Sequence, residues 1–195
     1  MAKVAVVYHS GYGHTRKLAE AVEQGAKSVS GTETWLLSVD ELGKDAPAWA
    51  TLAAADAIVF GAPTYMGGYS APFKAFIDLG AYAWSKQEWK NKIAAGFTNS
   101  GSFSGDKLNT LQGLFINAMQ HGMIWVGLGE PPVHTSDEHG AKLEDVNRLG
   151  SFMGVMAASA QAGTDVAPGA GDLKTGELLG ARVATVATQL VKGRG

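Results

Sequence analysis

The sequence predicts an α/β fold built on a parallel sheet. Short apolar runs alternate with helix-period segments five times along the chain, the pattern of a sheet covered by crossover helices. Three of those runs are followed by segments rich in glycine and hydroxyls: Ser10–Thr15, Pro63–Tyr69 and Asn99–Gly105. In a parallel sheet all C-terminal strand ends share one edge, where ligands bind. Glycine supplies 26 of 195 residues, against a usual share of about 7%, and it gathers in those segments.

Lys3–Tyr8 is a valine-rich run read as a buried strand. Apolar residues from Leu18 to Val29 then recur at helical spacing until Ser30-Gly31 ends the helix. Glu33–Val39 reads as a second strand, and a helix containing Ala50–Ala54 is entered through Pro47. Ala57–Gly61 is a third strand, "APTYMGGYSAP" a loop, and Phe73–Leu79 a helix. Lys92–Phe97 is a fourth strand, followed by the loop "TNSGSFSGD" and a helix over Leu108–Met119. Met123–Val126 is a fifth strand. Gly127–Gly171 has little period and exceeds ordinary loop lengths, so a functional or interface role is expected. Within it "SFMGVMAAS" fits a short strand or a helix equally. A last helix spans about Leu178–Leu190. The length suits a single domain over residues 1–195.

Composition narrows the function. A chain without cysteine excludes disulfides, thiolate metal sites and cysteine nucleophiles. A formal net charge of -2 offers no basic excess for nucleic acid. The first apolar run is too short for a signal-peptide core or a membrane span, which leaves the cytoplasm as the expected location. His134 and His139 with Asp137 and Glu138 lack ligand spacing and read as a solvated loop, so no metal is expected. No Ser-His-Asp arrangement is readable.

Ser10-Gly11-Tyr12-Gly13-His14-Thr15 leads from the first strand into a helix N-terminus, where free N–H groups and the helix dipole attract an anion. A phosphate is the expected guest. The alternative is that Thr15 merely caps the helix, but a cap needs one hydroxyl and neither glycine. No Gly-Lys-Ser/Thr ending is present, and Arg16 stands where a dinucleotide motif wants a small residue.

Ser-x-Tyr-Gly-x-Thr after the first strand, Pro63-Thr64-Tyr65-Met66-Gly67 after the third and Asn99-Ser100-Gly101-Ser102 after the fourth resemble the flavodoxin-like FMN proteins. With "YGH", "FGAPT", "HGM" and "AGAGD", the chain most resembles NAD(P)H:quinone oxidoreductases of the tryptophan-repressor-binding-protein type, over nearly its whole length. The resemblance implies a three-layer sandwich with strand order 2-1-3-4-5, helices on both faces and a long segment after strand five. It implies FMN as cofactor, with Ser10, Gly11, Tyr12, Gly13, His14 and Thr15 on the phosphate. Pro63, Thr64, Tyr65, Met66 and Gly67 would flank the ring, and Asn99, Ser100, Gly101, Ser102, Phe103 and Ser104 would wrap its other side and polar edge. Tyr12 and Trp84 would meet the nicotinamide and quinone substrates, no side chain being catalytic in its own right. His121 matches a family histidine at the flavin, yet it precedes the fifth strand and so belongs at the opposite sheet edge. Either a neighbouring subunit supplies it, in the homotetramer the resemblance implies, or it simply ends a helix. Tyr65 and Met66 replace an arginine and an aromatic common in the subfamily, and Phe103 replaces a glycine, which is expected to narrow the pocket. The rival readings are a flavodoxin-type electron carrier and an FMN-dependent azo, nitro or flavin reductase.

Overall fold

The computed structural model of the chain describes residues 1–44, 46–133 and 141–194. In chain order it forms β1 (Ala2–Tyr8), α1 (His14–Lys27), β2 (Thr32–Ser38), a 3-10 turn (Val39–Glu41), α2 (Ala48–Ala54), β3 (Ala57–Tyr65), β4 (Gly68–Tyr69), α3 (Ala71–Leu79), α4 (Ala81–Ser85), β5 (Ile93–Ser100), α5 (Lys107–Gln120), β6 (Ile124–Trp125), β7 (Val155–Ala158) and α6 (Ala170–Gly193).

The strands stack β2-β1-β3-β5-β6, all parallel, with β4 a short antiparallel partner of β3. With the hairpin strand β4 left out of the numbering, this is the expected 2-1-3-4-5 order. Alternation along β1 divides the core between the two faces. Val4 and Val6 point to a layer completed by Leu18 and Val22 of α1 and by Leu179 and Val183 of α6. Ala5 and Val7 point to the other layer, with Leu52 of α2, Phe73 and Phe76 of α3, and Leu111 and Leu114 of α5. Strands buried on both faces read as unbroken apolar runs, which is why they were legible.

The boundaries differ from the sequence expectation where the site lies. The third strand runs on to Tyr65 rather than ending at Gly61, and the fourth to Ser100 rather than Phe97. Ala62 pairs with Thr98 and Pro63 with Asn99, so polar and proline residues are held in the ladder by tertiary pairing that local preference does not reveal. Met66 and Gly67 form the two-residue turn between β3 and β4, both at positive φ (48° and 83°), the backbone of a type I′ hairpin. The fifth strand position is split. β6 pairs with Ile93 and Ala94, while β7 pairs with Phe97–Ser100, and the aperiodic segment lies between the two halves. "SFMGVMAAS" therefore contains a strand. α6 begins at Ala170, eight residues before the expected Leu178, because Gly171, Gly176 and Asp172 obscure the apolar stripe in its first turns.

α1 and α6 touch backbone to backbone. A Cβ on Gly25 would lie 1.8 Å from the Glu177 carbonyl oxygen, and one on Gly180 would lie 1.9 Å from that of Val22. The contact fixes the direction of α1, and so the place where its N-terminus opens. Gly180→Ala is expected to lower the free energy of unfolding by about 2–3 kcal/mol through overpacking. Gly43→Ala, where a Cβ meets nothing within 4 Å, should stay within about 0.5 kcal/mol of wild type. Urea unfolding of both variants checks the comparison.

Candidate functional site

A cleft of about 540 Å³ opens at the C-terminal edge of the sheet, a size in the range of small-ligand sites. Tyr12, His14 and Thr15 line it from the first loop, Pro63–Tyr65 from the end of β3, and Asn99–Gly101 from the end of β5. All three segments singled out in the sequence thus converge. Ser159–Ala162 form a fourth wall that sequence reasoning missed. The available signal was the aperiodic segment itself; β7 places its far end beside β5, and Ser159 N–H donates to the Ser100 carbonyl at 3.0 Å.

The first loop is built around free amides. Gly13, at φ 91°, sits at the N-cap of α1 and offers no side chain to it, and no acidic residue occupies the first turn. Ser10 Oγ accepts from the Gly13 and Arg16 N–H groups, each at 3.1 Å. The His14 and Thr15 N–H groups make no hydrogen bond to the described residues. Thr15 is buried in the cleft wall, and its hydroxyl likewise has no partner among them. Thr15 is therefore inside the helix rather than its cap. His14 Nε2 lies 2.8 Å from the Ala162 carbonyl, so it donates there and ties the first loop to the fourth wall. Orphaned helix-start donors together with a free hydroxyl suit a phosphate monoester.

The other walls are rigid. Thr64 Oγ1 is bonded to Thr98 Oγ1 at 2.8 Å and to Thr110 Oγ1 at 2.7 Å, a buried hydroxyl chain joining β3, β5 and α5. Ser159 Oγ donates to Asn99 Oδ1 at 2.7 Å. Asn109 Nδ2 donates to the Gly67 carbonyl at 2.7 Å and holds the hairpin tip. Tyr12, 78% exposed, meets Tyr65 edge to face with ring centroids 6.2 Å apart. Burial raises the pKa of Tyr65, with Tyr12 adding to the shift and the Gly11 backbone opposing it. A Cβ on Gly11 would lie 2.6 Å from Tyr65 Oη, so the first loop needs glycine there to let the tyrosine approach.

Other anticipated residues stand around or away from the cleft. Ser10, Gly11 and Gly13 belong to the first loop without lining the cleft, and Met66 and Gly67 stand at the hairpin tip. Ser102 turns its carbonyl to Lys107. Phe103, expected to narrow the pocket, instead turns outward, 71% exposed, with the Arg148 guanidinium 5.5 Å above its ring. Ser104 shares that outer depression. Trp84 and His121 lie together in a separate groove of about 360 Å³ between α3, α4 and α5. His121 is 3% exposed and lies against Trp89, with ring centroids 4.2 Å apart and planes tilted by 31°. As the strand geometry requires, it does not line the cleft of its own subunit. His134, Asp137, Glu138 and His139 lie outside the described residues.

The chain does assemble a Ser-His-Asp row that the sequence did not disclose. Ser70 Oγ is 2.8 Å from His9 Nδ1, and His9 Nε2 is 3.9 Å from Asp40 Oδ1. Ser70 is buried and lines no part of the cleft, so the row braces the start of α3 and presents no nucleophile.

The sequence matches the family described as NADPH-dependent FMN reductase over residues 2–138. It is 41% identical to flavodoxin FldP of Pseudomonas aeruginosa, covering 97% of this chain and 99% of that one. It is 31% identical to an NAD(P)H dehydrogenase (quinone) of Aromatoleum aromaticum, covering 98% and 99%. Among solved structures it resembles a flavodoxin, WrbA-like protein of Agrobacterium tumefaciens at 44% identity and a TM-score of 0.74, covering 97% and 99%.

His121 carries a pH expectation. Burial lowers its pKa to about 4, and Nδ1 has no partner among the described residues. The folded state holds the ring neutral while the unfolded chain protonates near the ordinary 6.5. Stability from this residue is thus complete above about pH 6.5 and is lost as pH falls toward 4. His121→Phe should remove about 2–3 kcal/mol of the acid-side loss, read from unfolding free energies at pH 7 and pH 4.5.

Proposed function

The chain belongs to the family of NADPH-dependent FMN reductases, and from that premise we propose that it is an FMN-dependent NAD(P)H:quinone oxidoreductase. One observation carries the reading. Unpaired helix-start donors and the free Thr15 hydroxyl open into a cleft whose other walls are flat, rigid and partly aromatic. Bound FMN would accept a hydride from NAD(P)H and pass two electrons to a quinone.

The residues divide the work by position. The Ser10–Thr15 loop holds the phosphate through its amides and hydroxyl. Thr64 and Tyr65, with the Met66–Gly67 peptide at the hairpin tip, flank the ring, and Asn99–Gly101 close its other side. Backbone N–H groups of the third loop offset negative charge that develops on the ring. Tyr12, projecting into solvent at the mouth, supplies the flat surface for substrates that take turns at one face. The chain supplies no acid or base.

We also place the active unit in a homo-oligomer of the cytoplasm, a tetramer by resemblance. Trp84 and Ile116 leave apolar surface exposed in the His121 groove, a feature that marks contact surfaces. Assembly would let that groove complete a neighbour's cleft. No helix among the described residues is long and apolar enough to cross a membrane.

A second reading, an electron carrier without turnover of its own, draws support from the relative named a flavodoxin at 41% identity. Steady-state oxidation of NAD(P)H with a quinone separates the two; a flavin-loaded protein that gives no turnover sinks the enzyme reading. Thr15→Val should weaken FMN binding by about 1–2 kcal/mol through loss of a charge-assisted hydrogen bond, and unchanged affinity in a fluorescence titration would remove Thr15 from the phosphate site. Tyr12→Ala should retain FMN and lose most of its quinone turnover.

A further inference from the structure

Behind the third loop lies a buried charged cluster. Lys107, the first residue of α5, is fully buried. Its ammonium donates to Ser100 Oγ at 2.7 Å and to the Ser102 carbonyl. Nearby, Arg148 and Asp172 form a buried two-point ion pair, Nε–Oδ1 and Nη2–Oδ2 both at 2.7 Å. Asp172 also accepts from the Ala158 N–H at 3.1 Å, and Arg148 donates to the Ala158 carbonyl at 3.3 Å. The whole cluster therefore backs the paired ends of β5 and β7, where Ser100 and Ser159 line the cleft.

The charges do not balance. Two cations face one anion, and the anion is committed to Arg148 in bidentate geometry. Lys107 has only neutral acceptors and no ion pair among the described residues. Burial is unfavourable for such a group and lowers its pKa to about 8, with Asp172 opposing the shift and Arg148 adding to it. A peg for the loop alone needs no charge, since a neutral donor can bond a hydroxyl and a carbonyl equally well. A cation one hydroxyl away from the cleft is placed to act on negative charge that arises there.

We propose that Lys107 is a positioning residue that keeps a positive charge behind the cleft wall and so favours reduced, anionic FMN over the oxidised form. The proposal rests on the FMN reading above. Reduction by NAD(P)H moves two electrons and one proton onto the ring and releases NAD(P)⁺, so bound FMN gains one negative charge. Passing the two electrons and that proton to a quinone, with one further proton from water, gives the hydroquinone and restores the neutral ring. The phosphate charge is common to both states and cancels in the comparison. What Lys107 changes is the balance between them, through an interaction that is little screened in a buried setting.

The test compares Lys107→Met with Lys107→Arg in the full chain. Binding of oxidised FMN and, anaerobically, of reduced FMN is titrated for each, and the midpoint potential of the bound flavin is measured directly. The methionine variant should bind oxidised FMN as wild type does and reduced FMN about tenfold less tightly, a midpoint potential lower by about 30 mV for a two-electron couple. The arginine variant should restore the wild-type ratio. A wild-type ratio in the methionine variant, or an equal change in both variants, overturns the proposal. Should the methionine variant fail to fold, Lys107→Gln, which keeps a polar donor but no charge, carries the same expectation and the same refutation. A wild-type protein that binds neither form of FMN overturns the cofactor reading instead, so the two failures are distinct.

Discussion

The donors left unpaired where α1 begins are the constraint on which the rest of the site depends. A helix start ordinarily satisfies its amides with a side-chain cap or an acidic first turn. Here Gly13 stands at the cap, no carboxylate occupies the first turn, and among the described residues Ser10 Oγ accepts from the Gly13 and Arg16 amides. Leaving the His14 and Thr15 donors open in a partly buried cleft is unfavourable unless a ligand completes them. The chain keeps that opening in place by rigid means: α1 is seated against α6 through glycine contacts that allow no Cβ.

The remaining walls follow the same logic of satisfied polar groups behind an unsatisfied face. The threonine chain Thr98–Thr64–Thr110 and the Ser159–Asn99 bond tie together side chains of three of the walls. α6 links the two ends of the arrangement. Its glycines seat α1, and Asp172 in its first turn anchors Arg148 beneath the third loop. The open start of α1 and the charged cluster behind the third loop thus share one helix, and a disturbance of α6 reaches both.

Trp84 and His121 belong to a different surface. The groove that holds them is lined by α3, α4 and α5 and lies apart from the cleft. His121 is buried there with no partner for Nδ1 among the described residues, which makes that surface sensitive to acid.

Much of this was determined by the sequence alone. Apolar runs placed five strand positions, helical spacing placed the helices between them, and the glycine- and hydroxyl-rich segments marked the three loops that meet at one edge, because period and composition are local properties. Tertiary structure alone decided the rest. Pairing between β3 and β5 carried both strands through polar residues and proline, which local preference opposes. The split of the fifth strand brought Ser159–Ala162 to the cleft across a stretch with no readable period. Phe103 turned outward beneath Arg148, which is distant in sequence, and Lys107 turned inward onto Ser100 Oγ and the Ser102 carbonyl. Period and composition describe a segment's own faces; which charges and rings meet across the sheet is set by long-range packing, and no single segment carries that information.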